Sequence, residues 1–191
     1  MDKTLELLKE SDALLEGHFI LSSGKHSNKY IQCAKLIENP VYCEEVANII
    51  GEKLKEKDIK VDLCVGPAMG GVIISYELAR ALGVNAIFTE RENGQMTLRR
   101  GFEIKEGMKV IIVEDVITTG KSSFETVDVI RSCGAEVIAL TSIVNRSNKD
   151  EINGLPIISA TKIDVDTWDE GEVPDKLKNI PATKPGSRSL K

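Results

Sequence analysis

The chain has 191 residues, of which 41% are hydrophobic, and its 25 Lys and Arg against 30 Asp and Glu give a net charge of −5 at pH 7. This length favours one domain, and we expect a single domain over residues 1–191. The acidic balance argues against a non-specific nucleic-acid binder, which needs clustered Lys and Arg, so we expect no nucleic-acid partner.

The first third of the chain is predicted to contain two helices separated by an extended hairpin. Leucines at helical spacing predict a helix over residues 2–15, ended by Gly17. The following HFILSSGKHSNKYIQCAKL predicts two short extended segments joined by a Ser-Ser-Gly turn. Residues 40–57 predict an amphipathic helix with Pro40 at its permitted first position.

From residue 61 onwards, buried strands alternate with helices. The predicted strands are VDLCV, VNAIFTE, MKVIIVED and AEVIALTSIVN, and the predicted helices are VIISYELARALG and FETVDVIRSCG. This alternation predicts an α/β fold with a parallel sheet covered on both faces. Segment 90–107 lacks apolar periodicity and predicts a long loop or flap, and the pattern weakens after residue 147.

The cysteines and the amino terminus indicate a cytoplasmic protein with reduced thiols. The four cysteines are widely scattered and form no CxxC pair, which is unlike a disulfide scaffold or a zinc site. The charged amino terminus lacks the apolar block of a signal peptide. No apolar run approaches the roughly 20 residues of a membrane span, so we expect no membrane partner.

The strongest motif is VIIVEDVITTGKSS at residues 110–123. A buried strand ends in the adjacent carboxylates Glu114 and Asp115, then turns through Gly120 into a helix. A helix amino terminus suits a phosphate, and the hydroxyls of Thr118, Thr119, Ser122 and Ser123 add donors. Because carboxylates accept hydrogen bonds from a vicinal diol, the pattern indicates a sugar 5-phosphate, with Mg²⁺ held indirectly. A nucleotide P-loop is disfavoured, since Asp115 stands where its first glycine belongs.

These residues resemble the phosphoribosyl-pyrophosphate (PRPP) motif of the type I phosphoribosyltransferases, a hydrophobic strand followed by two acids and a Thr-Gly turn. FILSSGKHSNKYIQC, VGPAMGGV and IVNRS are similar to segments of the family members that use orotate. The resemblance runs from about residue 13 to 147, and the closing KPGSRSLK resembles the tail of short bacterial and archaeal members. It implies a parallel-sheet type I phosphoribosyltransferase fold with a flexible flap. The core would cover about residues 40–147, and a small hood about residues 1–38 plus the carboxyl-terminal segment.

The resemblance also implies a reaction, a metal and an assembly. The phosphoribosyl group of PRPP would pass to N1 of orotate, giving orotidine 5′-monophosphate and pyrophosphate in pyrimidine (UMP) biosynthesis. The leaving group needs positioning and cationic stabilisation, and Mg²⁺ would be held through substrate oxygens rather than by direct protein ligands. The protein would be a homodimer whose flap is shared between subunits.

Residue roles follow from the matched motifs. The resemblance assigns the acid pair to the ribose hydroxyls and residues 118–122 to the 5-phosphate. The full set for PRPP is Glu114, Asp115, Val116, Ile117, Thr118, Thr119, Gly120, Lys121, Ser122 and Arg91. The set for orotate is Thr118, Arg146 and Lys25, with Lys25 also placed for pyrophosphate, and the pyrophosphate-side loop is Ala68, Met69 and Gly70.

The flap departs from the family pattern. Members of the family carry flap lysines and a Lys-Asp-His-Gly run, whereas this chain has no lysine between Lys60 and Lys105. Arg91 is the best replacement for the missing cation, with Arg99 and Arg100 behind it.

Two other functions remain open at this point. The first is a transferase of the same fold for another base, although a neutral base gives no reason for Arg146 at its strand end. The second is a PRPP-binding regulator without turnover, which the missing flap lysine favours. Against a regulator, the chain has no added helix-turn-helix segment and no basic run.

Overall fold

The computed structural model describes residues 2–21 and 23–185. Ser22 of the predicted Ser-Ser-Gly turn and residues 186–191 of the tail lie outside the described residues. The helices are α1 (Lys3–Glu10), α2 (Ala34–Ile37), α3 (Pro40–Glu56), α4 (Gly70–Leu82), α5 (Lys121–Ser132) and α6 (Asp175–Lys178). The strands are β1 (Leu14–Ile20), β2 (His26–Ile31), β3 (Leu63–Pro67), β4 (Asn85–Glu92), β5 (Gln95–Leu98), β6 (Lys109–Ile117), β7 (Glu136–Asn145), β8 (Glu151–Ile152), β9 (Leu155–Lys162) and β10 (Thr167–Trp168).

A seven-stranded sheet in the order β5-β4-β3-β6-β7-β9-β8 forms the centre of the molecule. Its five inner strands are parallel, and the short strands β5 and β8 close the two edges in antiparallel pairing. One face buries apolar side chains against α3 and α4, including Leu54 and Ile74. The other face buries Val127 and Ile130 of α5. The predicted parallel α/β sheet with both faces covered is confirmed.

The first helix is shorter than predicted. It ends at Glu10 with Ser11 as its carboxyl cap, and Asp12 adopts a φ of 54°. Such a left-handed residue ends a helix, so Leu14 and Leu15, predicted to be helical, begin β1 instead.

The segment predicted as a loop over 90–107 is in part a hairpin. Strand β4 continues to Glu92 and pairs with β5 in antiparallel register. Asn93 and Gly94 between them have φ angles of 50° and 84°, as a tight Asn-Gly hairpin turn requires. The flap is therefore an extension of the sheet edge as far as Leu98.

The sheet extends beyond residue 147, the expected end of the core. Strand β9 pairs in parallel with β7, and six of its eight residues are buried. Its sequence LPIISATK has the apolar character of a strand buried on both faces. The polar turns before this strand weaken the pattern in the sequence.

The predicted extended hairpin before residue 32 is present and forms a separate small sheet. Strands β1 and β2 pair in antiparallel register, and β10 adds to β2 from the carboxyl-terminal part of the chain. Thr183 binds β1 at the other edge of this small sheet. Its N–H donates to the His18 carbonyl, and its carbonyl accepts from the Ile20 N–H. Within residues 2–21 and 23–185, the helices are too short or too polar to cross a membrane.

Candidate active site

The acid pair lies at the carboxyl end of the central strand β6. Glu114 is 8% exposed, and one of its carboxylate oxygens accepts a hydrogen bond of 3.1 Å from Ser123 Oγ. Burial, together with the neighbouring charge of Asp115, raises the pKa of Glu114 to about 8. Ser123 was expected to offer its hydroxyl to a phosphate, but it is buried and its hydroxyl is committed to Glu114.

The segment from Gly66 at the end of β3 to Gly71 at the start of α4, called the 66–71 loop below, packs directly on Asp115. A Cβ atom added to Gly70 would lie 2.6–2.7 Å from the carboxylate atoms of Asp115, so only glycine allows this approach. A Cβ atom added to Gly71 would lie 2.3 Å from the carbonyl oxygen of Val113. Asp115 Oδ1 accepts from the Val116 N–H at 2.8 Å, while burial raises the pKa of the carboxyl. The expected pyrophosphate-side loop and the acid pair therefore meet at one edge of the sheet.

The 118–122 turn leads from the acid pair into α5. Thr118 and Thr119 are exposed, Gly120 has a φ of 75°, and α5 begins at Lys121. The first N–H groups of this 12-residue helix have no carbonyl partner within the helix, and they lie at the turn together with the positive end of the helix dipole. The turn thus combines exposed hydroxyls, backbone donors and a cation at one place.

Two of the residues assigned to PRPP do not face this turn. The Ile117 side chain is 1% exposed and packs in the core beside α5, so that side chain is not available to a ligand. Its carbonyl accepts from the Arg146 N–H at 2.8 Å. Val116 is half-buried and packs against the core on the opposite face.

Arg146 follows β7, the strand next to the acid pair. It is half-buried, and its Nε has no hydrogen-bond partner among the described residues. Burial lowers the pKa of the guanidinium. Cys33 lies beside it, interacts with it electrostatically, and places its Sγ 3.7 Å from the carbonyl oxygen of Asp115. A half-buried cation with a buried, unused donor at the end of the strand next to the acid pair suits the binding of a planar anion.

The loop residue Met69 is the most exposed large apolar side chain of the described chain, at 86%. The peptide bond between Ala68 and Met69 is cis, and the Ala68 N–H donates to Thr89 of β4 at 2.7 Å. Strand β4 therefore pairs with the start of the 66–71 loop, while Gly70 and Gly71 at its end pack on Asp115 and Val113 of β6.

The remaining predicted cations are paired with acids elsewhere in the chain. Lys25 lies at the tip of the β1–β2 hairpin, and its Nζ is 3.2 Å from Asp169. Arg91 binds the Glu125 carboxylate and the carbonyl of Gly94. Neither cation is in contact with the acid pair.

Sequence reasoning missed three residues that contact predicted site residues: Cys33, Glu125 and Asp169. Glu125 lies one turn into α5 and is 34 residues from its partner Arg91. Asp169 is 144 residues from its partner Lys25, and no local signal links them.

Comparisons with known proteins agree with this geometry. The phosphoribosyl transferase domain family matches residues 34–177. An orotate phosphoribosyltransferase of Heliobacterium modesticaldum is 45% identical over 188 residues, which are 98% of each chain. The crystal structure of orotate phosphoribosyltransferase from Aeropyrum pernix superposes with a TM-score of 0.71 at 26% identity, covering 83% of this chain and 92% of that one.

The fold is also shared with transferases for other bases. An adenine phosphoribosyltransferase from Thermoanaerobacter pseudethanolicus has a TM-score of 0.60 at 19% identity, covering 71% of this chain and 88% of that one. This likeness concerns the fold alone. The near full-length match to the Heliobacterium protein, together with the domain match, decides the membership: this chain belongs to the phosphoribosyl transferase domain family, and within it to the orotate phosphoribosyltransferases.

Proposed function

We propose that the protein transfers the phosphoribosyl group of PRPP to N1 of orotate, releasing pyrophosphate and forming orotidine 5′-monophosphate. The observation that carries this proposal is the buried, unpartnered Nε of Arg146 at the strand end next to the acid pair. A site of this kind favours a base that bears a carboxylate, because an arginine can bind that group with two parallel hydrogen bonds.

PRPP is proposed to bind along the carboxyl edge of the sheet. Its 5-phosphate would accept hydrogen bonds from the backbone and hydroxyls of the 118–122 turn, and its ribose hydroxyls would donate to Glu114 and Asp115. Its pyrophosphate would lie against the 66–71 loop, whose residues Met69 and Gly70 are exposed. The C1 carbon would then lie between the acid pair and the loop.

Catalysis is proposed to rest on orientation and charge rather than on an acid–base pair. The bond from C1 to pyrophosphate breaks as N1 of orotate, whose proton is released to solvent, forms the new bond to C1, so negative charge grows on the leaving group. Fixed donors that face this charge lower the barrier. Arg146 and Thr118 would hold orotate with N1 directed at C1, and Arg91 is the proposed flap cation for the pyrophosphate.

Mg²⁺ is proposed to bind with PRPP. Among residues 2–21 and 23–185, no group of three or more His, Cys, Asp and Glu residues could hold a metal by itself. Mg²⁺ commonly keeps several waters and binds substrate phosphates, so substrate oxygens, rather than direct protein ligands, would hold this ion. When bound, Mg²⁺ would neutralise charge on the leaving pyrophosphate.

The proposal is tested by pyrophosphate release from PRPP and Mg²⁺ on addition of orotate, uracil, hypoxanthine or xanthine. We expect turnover with orotate and none after chelation of Mg²⁺. If pyrophosphate is released only with another base, that base and not orotate is the substrate. Binding of PRPP without release under any condition would instead identify the regulator.

We also propose a homodimer, formed through one face of α4. Met69, Ile73 and Tyr76 lie on this face at helical spacing and are 86%, 58% and 67% exposed. The face is bordered by Arg80, which pairs with Glu77 and with Glu44 of α3. A border with both charges suits a second copy, because a twofold axis can bring Arg80 of one protomer close to Glu77 and Glu44 of the other. Since Met69 belongs to the 66–71 loop, the partner would also cover the active site.

Ile73→Glu should convert the dimer to a monomer, because the twofold would bring two buried carboxylates together without partners. Light scattering after gel filtration measures the mass of each variant. Ile180→Glu, at an exposed isoleucine near the hood, is the matched control and should remain dimeric. A wild-type monomer with full activity would contradict the dimer, and a dimeric Ile73→Glu would contradict this surface.

Three expectations stay predictions: a flap shared between subunits, one domain over 1–191, and a cytoplasmic location. The cysteines of the described chain are all free thiols, which suits a reducing compartment.

A further inference from the structure

The flap residue Arg91 lies on β4 two residues after Thr89, which contacts both the 66–71 loop and α5. Two residues before it, Thr89 accepts from the Ala68 N–H of the 66–71 loop at 2.7 Å, and its Oγ1 is 3.0 Å from Thr126 Oγ1 of α5. Side chains two residues apart on a strand point the same way. Arg91 is therefore directed at α5, where its partner Glu125 lies one helical turn after Lys121.

The guanidinium of Arg91 is held by an acid of the same face. Glu125, one turn into α5, accepts a hydrogen bond from one terminal nitrogen, and the Gly94 carbonyl accepts from the other at 2.9 Å. The two side chains are 42% and 30% exposed. Glu125 is the only acidic partner of Arg91 among the described residues.

This ion pair is of the kind that a polyanion can displace. Exposed pairs contribute only about 0.2–1 kcal/mol to stability, whereas PRPP carries several negative charges. When the guanidinium turns to a phosphate, Glu125 loses its partner and remains as a negative charge beside the ligand. The presence of Glu125 therefore opposes the binding of both PRPP and pyrophosphate.

The other flap arginines have different acid partners. Arg100 pairs with Glu90 and lies over the ring of Phe88, and Arg99 pairs with Glu92. Phe88 and Glu90 alternate with Thr89 and Arg91, so they lie on the opposite face of β4, away from α5. Of the three flap arginines, Arg91 is the one that pairs with an acid of α5, the helix that begins at the 118–122 turn.

We propose that Glu125 is a positioning residue for Arg91. It holds the guanidinium in the ligand-free protein and releases it to the pyrophosphate group when PRPP binds. The exchange lowers the affinity for PRPP and for the pyrophosphate product together, so it limits retention of the product. This inference rests on the proposed function, because it takes Arg91 as a cation for the leaving group.

The test is Glu125→Gln, which keeps the shape of the side chain and removes its charge. We expect the Kd of PRPP with Mg²⁺, measured by calorimetry without orotate, to fall about three- to tenfold at low salt. The KM for PRPP should fall with it, while kcat does not rise. The gain should shrink at about 0.3 M salt, where exposed charges are screened.

Two further variants make the result specific. In the Arg91→Met background, Glu125→Gln should give a smaller gain than in the wild type, because the pair no longer exists. Asp175→Asn removes an exposed carboxylate paired with Lys178 at 2.9 Å, away from the acid pair, and should leave the Kd unchanged.

An unchanged or higher Kd in Glu125→Gln would overturn the inference, since Glu125 would then have no role or would orient Arg91 for binding. An equal gain with and without Arg91 would overturn it too, because Glu125 would act on PRPP directly. Failure of the proposed function gives a different pattern: the wild type would bind PRPP but release no pyrophosphate with orotate.

Discussion

Replacing Glu114 with glutamine should weaken PRPP binding by about 10- to 100-fold and should make the ligand-free protein more stable at alkaline pH. The loss of affinity is expected at about pH 9, above the pKa of about 8 of Glu114, because its ionised carboxylate then accepts from the ribose hydroxyls more strongly than an amide does. The gain in stability follows from the burial of Glu114, which is 8% exposed and has no cation paired with it among the described residues.

The pH dependence of this gain can be given a sign. Burial raises the pKa of Glu114 from 4.5 to about 8, so between these pH values the folded protein holds a proton that the unfolded chain has released. The free energy of unfolding then falls as the pH rises from about 5 to about 8, and each unit of pKa difference is worth about 1.4 kcal/mol. Glutamine removes this loss, and the difference between the two proteins should grow to a few kcal/mol at about pH 9.

Urea unfolding at about pH 5 and about pH 9 measures the effect on stability, and calorimetry with PRPP measures the effect on binding. Glu136→Gln, at an exposed glutamate at the opposite end of the neighbouring strand β7, is the control and should change neither. Equal stability differences at the two pH values would show that Glu114 is ionised in the free protein, contrary to its environment.

The parts of the fold that follow from local sequence were predicted well. Buried strands such as VIIVED and helices such as 40–57 carry their own periodicity, and the Thr-Gly turn identified the motif at 110–123. The Asn-Gly turn of the flap was also a readable signal, although the lack of periodicity around it led to the prediction of a loop. Asp12 ended α1 earlier than the leucine pattern indicated.

The arrangement of charges could not be read from the sequence. Lys25 and Arg91 were assigned to ligands, and each is instead bound to an acid from another element, Asp169 or Glu125. These contacts span 144 and 34 residues and depend on how the hairpins lie on the sheet. The role of Gly70 is similar, since only the folded loop brings it against Asp115. A motif therefore predicts which residues lie at the site, while tertiary packing decides which charges are free to bind.

Arg146→Met should raise the KM for orotate by about 100-fold and leave the Kd of PRPP within about threefold of wild type. The guanidinium is half-buried, its Nε has no partner among the described residues, and burial already lowers its pKa. A carboxylate bound there would supply both the missing acceptor and the missing charge, so most of the binding energy of orotate over a neutral pyrimidine should come from this contact.

The same reasoning predicts an unusual effect on stability. Removing one partner of a buried ion pair usually destabilises a protein, but Arg146 has no acid partner in the described structure, and methionine relieves the burial of a charge. The melting temperature of Arg146→Met should therefore equal or exceed that of the wild type. Arg131→Met, at an exposed arginine in the last turn of α5, is the control and should alter neither KM nor melting temperature.

Measuring kcat/KM for orotate and uracil in both proteins completes the test. If Arg146 binds the orotate carboxylate, the preference for orotate over uracil should narrow about as much as the KM for orotate rises. A parallel loss with both bases would show that Arg146 supports the site without reading the carboxylate. A large loss of PRPP affinity would place Arg146 at the sugar or the pyrophosphate instead, and the orientation proposed for the two substrates would have to be reversed.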